Sequence, residues 1–325
     1  MPDVLTCGEL LIDFVPTVAG LPLIDTPGFL KAPGGAPANV AVGLARLGVS
    51  SGFLGKVGDD PFGHFLARTL QENGVDTSGL HFDQETRTAL AFVSLTAGGE
   101  RDFLFYRHPS ADMRWHPNEV DADYVRQARV FHYGSISLID EPSRSATLTA
   151  LEYAQEAGLL CSYDPNLRLP LWPSAETARA GILLGWQHAD LIKVSEEELV
   201  FITGLEDEAE AVQRLWSDRL RLVVITRGAG GSAYAVGDGT IVNVPGFQVP
   251  TVDTTGAGDG FVAGLLAGLL ERGLVVEEDV LPDILCFANA VGALTTTAKG
   301  AIPSLPTRDA VNAFLQRGKR ATSNE

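Results

Sequence analysis

Short apolar runs alternating with helical patterns over most of the 325 residues constrain this chain more than any other feature. Val130–Ile136 (VFHYGSI), Leu159–Asp164 (LLCSYD) and Leu222–Thr226 (LVVIT) have the length and apolar character of buried strands. Pro37–Leu47, Pro61–Asn73, Ser143–Ala157 and Glu196–Thr203 read as helices. This rhythm predicts an α/β fold with a mostly parallel central sheet and helices on both faces, a three-layer α/β/α arrangement.

Two regions break the rhythm. Leu10–Gly35 is extended and rich in Pro and Gly, and Thr88–Arg107 reads as a hairpin turning at Ala97, Gly98, Gly99 and Glu100. In its second strand Phe103, Phe105 and Arg107 share one face while Leu104 and Tyr106 take the other. Apolar residues on both faces predict that both are covered. The two segments, residues 13–35 and 88–107, are expected to form one small β-lid, discontinuous in sequence, over a core made of 1–12, 36–87 and 108–316. The alternative is an ordinary hairpin on an α/β domain. Residues 317–325 read as a flexible tail.

The formal net charge is −17 and no basic stripe is visible, which argues against a nucleic-acid partner. Cys7, Cys161 and Cys286 occur singly, without metal-site spacing, as reduced thiols packed like small hydrophobes would. The N-terminal residues lack a signal-peptide pattern, and the apolar stretch Phe261–Leu270 is too short to span a bilayer. A cytoplasmic protein without a membrane partner is expected.

The segment Asp253-Thr254-Thr255-Gly256-Ala257-Gly258-Asp259-Gly260 runs directly into FVAGLLAGLL. Gly256 and Gly258 permit a tight backbone whose N–H groups converge where the next helix begins, a place that stabilises a phosphate. Asp259 beside it could accept a proton from an attacking hydroxyl; taken alone, an Asp at a helix start is an N-cap. Gly260, Gly264 and Gly268 form a stripe at i, i+4 and i+8 that lets the helix approach a neighbour closely. A Walker A motif is absent, since Gly55-Lys56 is followed by Val57. Gly228–Ala233 matches GxGxxA after a strand, but a hairpin pattern follows instead of a helix. A phosphate- or nucleotide-contacting turn survives there; a dinucleotide fold does not.

Gly34-Gly35-Ala36-Pro37-Ala38-Asn39 opens a second helix, with Pro37 at a first helical position and Gly48 at its stop. The glycine pair lets a ligand lie against backbone, or is merely a tight turn. Asn39 offers a hydroxyl both donor and acceptor. Asp13, within LLIDFV, is either salt-bridged or hydroxyl-binding.

With GGAPANVAVGLARLG near one end and DTTGAGDGFVAGLLAGL near the other, the chain resembles the ribokinase-like (PfkB) carbohydrate kinases, and among them the plant-type and bacterial fructokinases. Further similar stretches include LIDFVPT, GKVGDDPFG, FYRHPSADM, DPNLR, KVSEEE and TRGAGG. The resemblance implies phosphorylation of the 6-hydroxyl of fructose by ATP. It implies Asp259 as catalytic base and the backbone of Gly256, Ala257 and Gly258 as an anion hole. Sugar contacts would come from Asp13, Gly34, Gly35, Asn39, Phe105, Arg107 and Arg168. Nucleotide contacts would come from Ser195, Thr226, Gly228, Gly231 and Asn289. The family's Asn-x-x-Glu motif appears as Ser195–Glu198, with Ser in place of Asn and Glu198 kept for indirect Mg²⁺ contact. A K⁺ ion would lie near Asp253, Thr255, Thr295, Ala298, Gly300 and Ser304.

Each has a plain alternative: Arg107 and Arg168 pairing with carboxylates, Glu198 as an exposed helix residue. Rival functions are a 2-keto-3-deoxygluconate kinase, in which the two arginines would grip the substrate carboxylate, another small-sugar kinase of the same family, and a non-catalytic sugar or nucleotide sensor. The open edges of the lid predict a homodimer through lid-to-lid contact.

Overall fold

The computed structural model describes residues 1–18, 20–95, 101–237 and 239–322. Its strands, in chain order, are β1 (Val4–Cys7), β2 (Leu11–Pro16), β3 (Phe29–Gly34), β4 (Ser51–Gly58), β5 (Asp76–Asp83), β6 (Leu90–Leu95), β7 (Arg101–Tyr106), β8 (Val130–Gly134), β9 (Leu160–Asp164), β10 (Leu191–Ser195), β11 (Leu222–Thr226), β12 (Gly231–Ala235) and β13 (Val242–Pro245). Nine form one sheet in the order β13-β12-β11-β10-β9-β8-β1-β4-β5. Neighbours from β11 to β5 are parallel, while β12 and β13 join antiparallel at one edge.

The predicted layering follows from strand alternation. On β11, Val223 and Ile225 enter one core, while Leu222 and Val224 enter the other. The first core is covered by helices including Ser143–Glu156 and Ala175–Trp186, the second by Ala36–Arg46, Ala257–Glu271 and Leu281–Thr295. A sheet buried on both faces needs the near-continuous apolar strands that the sequence supplies.

The glycine stripe has a visible use. A side chain on Gly264 would sit 2.9 Å from Ala288 Cα, one on Gly268 2.9 Å from Ile284, and one on Gly260 would press on Thr295. All three neighbours lie on the Leu281–Thr295 helix, so the stripe is its seat.

The remaining strands form a separate four-stranded sheet, β3-β2-β6-β7. It is discontinuous in sequence, since β2 pairs in parallel with β6 (Ile12 beside Leu90). β2 starts at Leu11, ahead of the expected boundary at 13. The expected turn Ala97–Glu100 and the side chain of Phe103 lie outside the described residues. One expectation holds only in part: on the face carrying Leu104 and Tyr106, Ile12, Phe14 and Leu90 pack against the Pro61–Glu72 helix, while Leu104 and Tyr106 themselves are 47% and 61% exposed. Leu30, on the edge strand β3, is exposed too.

Smaller corrections concern ends. The strand at Val130 stops at Gly134, and Ile136 enters a single 3₁₀ turn. Of the expected tail, residues 317–322 continue the helix Arg308–Thr322, whose Val311 is buried. No described helix is long and apolar enough to cross a membrane.

Candidate active site

The site is built around the start of the Ala257–Glu271 helix. Gly256 adopts φ +80°, and a side chain there would overlap Ala301, so only glycine suits this turn. No side chain caps the helix; Ala257 N donates to the Thr254 carbonyl at 3.2 Å, and the backbone of Gly256 and Gly258 borders a cleft. Asp259 stands in the first turn, 7% exposed, and does not act as the cap. One oxygen accepts from Asn39 Nδ2 at 2.8 Å, and the other faces Asn166 Nδ2 at 3.5 Å. Burial pushes its carboxyl above the usual Asp range, opposed by the Asn39 hydrogen bond and the charges of Arg168 and Lys193.

A cavity of about 180 Å³ opens beside Asp259, under the small sheet. Its walls include Asp13, Gly35, Asn39, Phe105 and Arg168 among the expected sugar residues. Gly34 lies behind the wall, where any side chain would collide with the Asp13 carboxylate. Gly35, at φ +108°, is pressed against the Glu9 carbonyl in the same way.

Arg107 is a correction. It does not line the cavity; its guanidinium is buried, pairs with Asp112 at 2.7 Å and points toward the Ile136 carbonyl. A buried guanidinium needs a carboxylate partner, and Asp112 supplies it behind the floor.

A second cavity, of about 280 Å³, lies on the opposite side of the same helix start. Thr226, Gly228, Gly231 and Asn289 line it, as does Ala257. The GxGxxA segment is the turn from β11 into antiparallel β12, and Asn289 donates toward the Val244 and Pro245 carbonyls. Ser195 lies outside both cavities, a second correction. Its hydroxyl accepts from Glu198 N at 3.2 Å while a Glu198 oxygen accepts from Ser195 N at 2.9 Å, a reciprocal cap on the Glu196–Thr203 helix. The other Glu198 oxygen accepts from Leu167 N at 2.7 Å, which fixes the loop bearing Asn166 and Arg168.

The two cavities share Thr254 and Gly258 as wall, so they meet at the helix start. A group handed from one to the other passes Gly256–Gly258 and Asp259. Behind this point Asp253 ties the loop together, accepting from Thr255 N and Oγ1 at 3.0 and 2.7 Å and from Gly300 N at 2.9 Å. Ser304 Oγ donates back to the Gly300 and Ala301 carbonyls, and Thr295 Oγ1 to the Val291 carbonyl. Ala298 belongs to the same connection, between Thr295 and Gly300.

Sequence comparison matches residues 1–308 to the pfkB family carbohydrate kinases. The chain belongs to this family. Fructokinase-2 of Solanum lycopersicum is 54% identical over 319 residues, 97% of this chain and 96% of that protein. A crystal structure of fructokinase with bound ATP from Xylella fastidiosa superposes with a TM-score of 0.89 at 35% identity, covering 98% of this chain and all of that one. A double mutant of fructokinase from Vibrio cholerae O395, in fructose, ADP and potassium ion bound form, gives 0.86 at 38% identity, covering 97% and 98%. The fold is therefore ribokinase-like: the large, mostly parallel sheet and the small separate sheet are the architecture of pfkB kinases.

Among the cavity residues that the sequence does not point to, four carry a carboxylate, an amide or an ammonium: Glu9, Asp164, Asn166 and Lys193. Asp164 and Asn166 stood inside DPNLR, noted there only as a resemblance. Asn166 holds φ +44°, a left-handed conformation that Asn tolerates better than most residues. Lys193 Nζ lies 3.1 and 3.2 Å from the two Asp164 oxygens. Glu9 Oε1 accepts from Ala36 N at 2.9 Å, and burial pushes its carboxyl up to about 7.

Proposed function

We propose that this pfkB-family kinase is a fructokinase, transferring the γ-phosphoryl group of ATP to the 6-hydroxyl of D-fructose. The observation that carries this is the shared wall at Gly258, where a sugar-sized cavity and a nucleotide-sized groove meet beside a buried carboxylate.

Fructose sits under the small sheet, its hydroxyls on Asp13 and Asn39 and its 6-hydroxyl toward Asp259. The carboxylate, raised by burial and steadied by Asn39, takes the hydroxyl proton as the oxygen attacks phosphorus in line. The N–H groups of Gly256 and Gly258, and that of Ala257 once it leaves the Thr254 carbonyl, donate to the phosphoryl oxygens, offsetting charge where it develops. The adenine end follows the second cavity along Gly228, Gly231 and Asn289.

Mg²⁺ bound to ATP phosphates would keep several waters and need few protein carboxylates. Glu198, like Ser195, lies outside both cavities and its oxygens already serve backbone N–H groups, so a contact with Mg²⁺ would have to run through water. The chemistry that Mg²⁺ would supply when bound is neutralisation of phosphate charge. Asp253 and the carbonyls of the loops that it ties to Gly300 would suit K⁺.

The pairing of Arg107 with Asp112 argues against the 2-keto-3-deoxygluconate reading, which needs two arginines at the sugar. The exposed Leu104 and Tyr106, on one face of the small sheet, support a homodimer through this sheet, and the buried thiols Cys7 and Cys161, outside any disulfide, suit a cytoplasmic enzyme. Sedimentation showing only monomers across micromolar concentrations would remove the dimer.

Coupled ADP release with MgATP, comparing fructose, 2-keto-3-deoxygluconate, ribose and glucose, tests the function. Turnover with fructose is expected to dominate. Preference for the keto-deoxy acid would overturn the substrate, and silence with every sugar the activity.

A further inference from the structure

We propose that Lys193 is a catalytic residue of the transfer: its ammonium, held by Asp164 where the two cavities meet, contacts the phosphoryl group in flight. This rests on the kinase reading above and adds a residue to it.

The position follows from strand register. β9 and β10 are parallel, with Tyr163 beside Ile192, so Asp164 and Lys193 stand side by side at the C-terminal end of the sheet. Ligands of open α/β sheets bind at that end. Both side chains are buried, yet both line the sugar cavity. A side chain added to Gly258 would come within 3.3 Å of Lys193 Nζ. The ammonium therefore lies over the first turn of the helix whose N–H groups receive the phosphoryl oxygens.

Charge gives the reason. Asp164, Asp259 and Glu198 all act electrostatically on Lys193. An incoming triphosphate would meet carboxylates at the point of transfer. Of the described residues lining this cavity, Lys193 and Arg168 are the cations, and Lys193 is the one beside Gly258. A purely structural ion pair at this depth has little to recommend it, since buried pairs are often replaced by apolar residues without loss.

In the step itself, a bond forms between the sugar oxygen and γ-phosphorus. The bond from phosphorus to the β–γ bridging oxygen breaks, and its electron pair leaves on ADP. The hydroxyl proton goes to Asp259. Lys193 makes no covalent bond; it donates to the phosphoryl oxygens while their charge shifts. Asp164 is the positioning residue that aims it.

The test compares wild type, Lys193→Met, Asp164→Asn and the double variant, with turnover of MgATP and fructose and fructose affinity by calorimetry. Lys193→Met is expected to lose about 10²–10³-fold in kcat, with fructose Kd within about threefold of wild type. The double variant removes both charges, so it leaves no buried charge unpaired. It is expected to stay as slow as Lys193→Met and to bind ADP with aluminium fluoride and fructose, a mimic of the transferring group, far more weakly than wild type. Recovery of the double variant to within about tenfold of wild type would make the pair structural and overturn the proposal; so would undiminished affinity for the mimic. If Lys193→Met does not fold, the double variant decides alone. Wild type turning over no sugar would indict the kinase reading instead, while wild-type turnover with an unimpaired Lys193→Met would indict only Lys193.

Discussion

Asn39 Nδ2 donates to Asp259 Oδ2 at 2.8 Å, joining the two glycine-rich motifs across 220 positions of chain. The bond has two effects. It fixes which way the carboxylate faces, and it ties the base to the helix that follows the sugar-side glycine pair. Sugar seat and proton acceptor are thus one mechanical unit.

Asp259→Asn removes the acceptor and keeps the shape. Turnover is expected to fall by about 10²–10⁴-fold, while calorimetric fructose affinity stays near wild type. Retained turnover would exclude Asp259 as the base.

Asn39→Ala removes the donor that opposes the burial-raised pKa of Asp259. The carboxylate must be ionised to accept a proton, so activity is lost as pH falls through its pKa. Without Asn39 that pKa rises further, and the acid limb of the kcat/KM profile moves to higher pH. An unmoved limb would mean that the bond does not govern the base.

Gly264→Ala places a methyl 2.9 Å from Ala288 Cα and 3.0 Å from Val291, both on the facing helix. Neither helix can yield without shifting backbone, so a loss of about 1–3 kcal/mol is expected. Chemical denaturation would measure it, with KM for fructose as a check that the site is intact.

Glu9→Gln tests a buried carboxyl. Its folded pKa, about 7, lies above the ordinary 4.5. The folded state therefore binds the proton more tightly than the unfolded one. This contribution is complete below the ordinary value and is lost as pH rises toward 7, a change of up to roughly 3 kcal/mol. Glutamine never ionises, so the variant should be more stable than wild type near pH 8 and show a flatter Tm profile from about pH 5 to 8. Parallel profiles would place the Glu9 pKa near its ordinary value.

The layered fold was legible because its strands are apolar on both faces, and the helix start because Gly256, Gly258 and Asp259 are contiguous. Lys193 was not. Its partner Asp164 lies on a neighbouring strand, and only parallel register brings them together. Arg107 shows the opposite limit. Alternation along β7 placed it on the inner face of the lid, but where a long side chain ends depends on Asp112, which belongs to the next turn. Ser195 likewise sits in its motif by sequence, yet its hydroxyl is spent on Glu198 N.

The parallel pairing of β2 with β6 also makes the roof of the sugar site a long-range structure. Ile12 and Leu90 must meet across a long closed loop, and the wall of the second cavity closes a loop of similar length, from Thr226 to Thr296. Loop closure of that length comes late and slowly. Neither half of the site is therefore complete until its own distant segments have met. Fructose, by binding only the roofed form, would act as a late stabiliser of folding as well as a substrate.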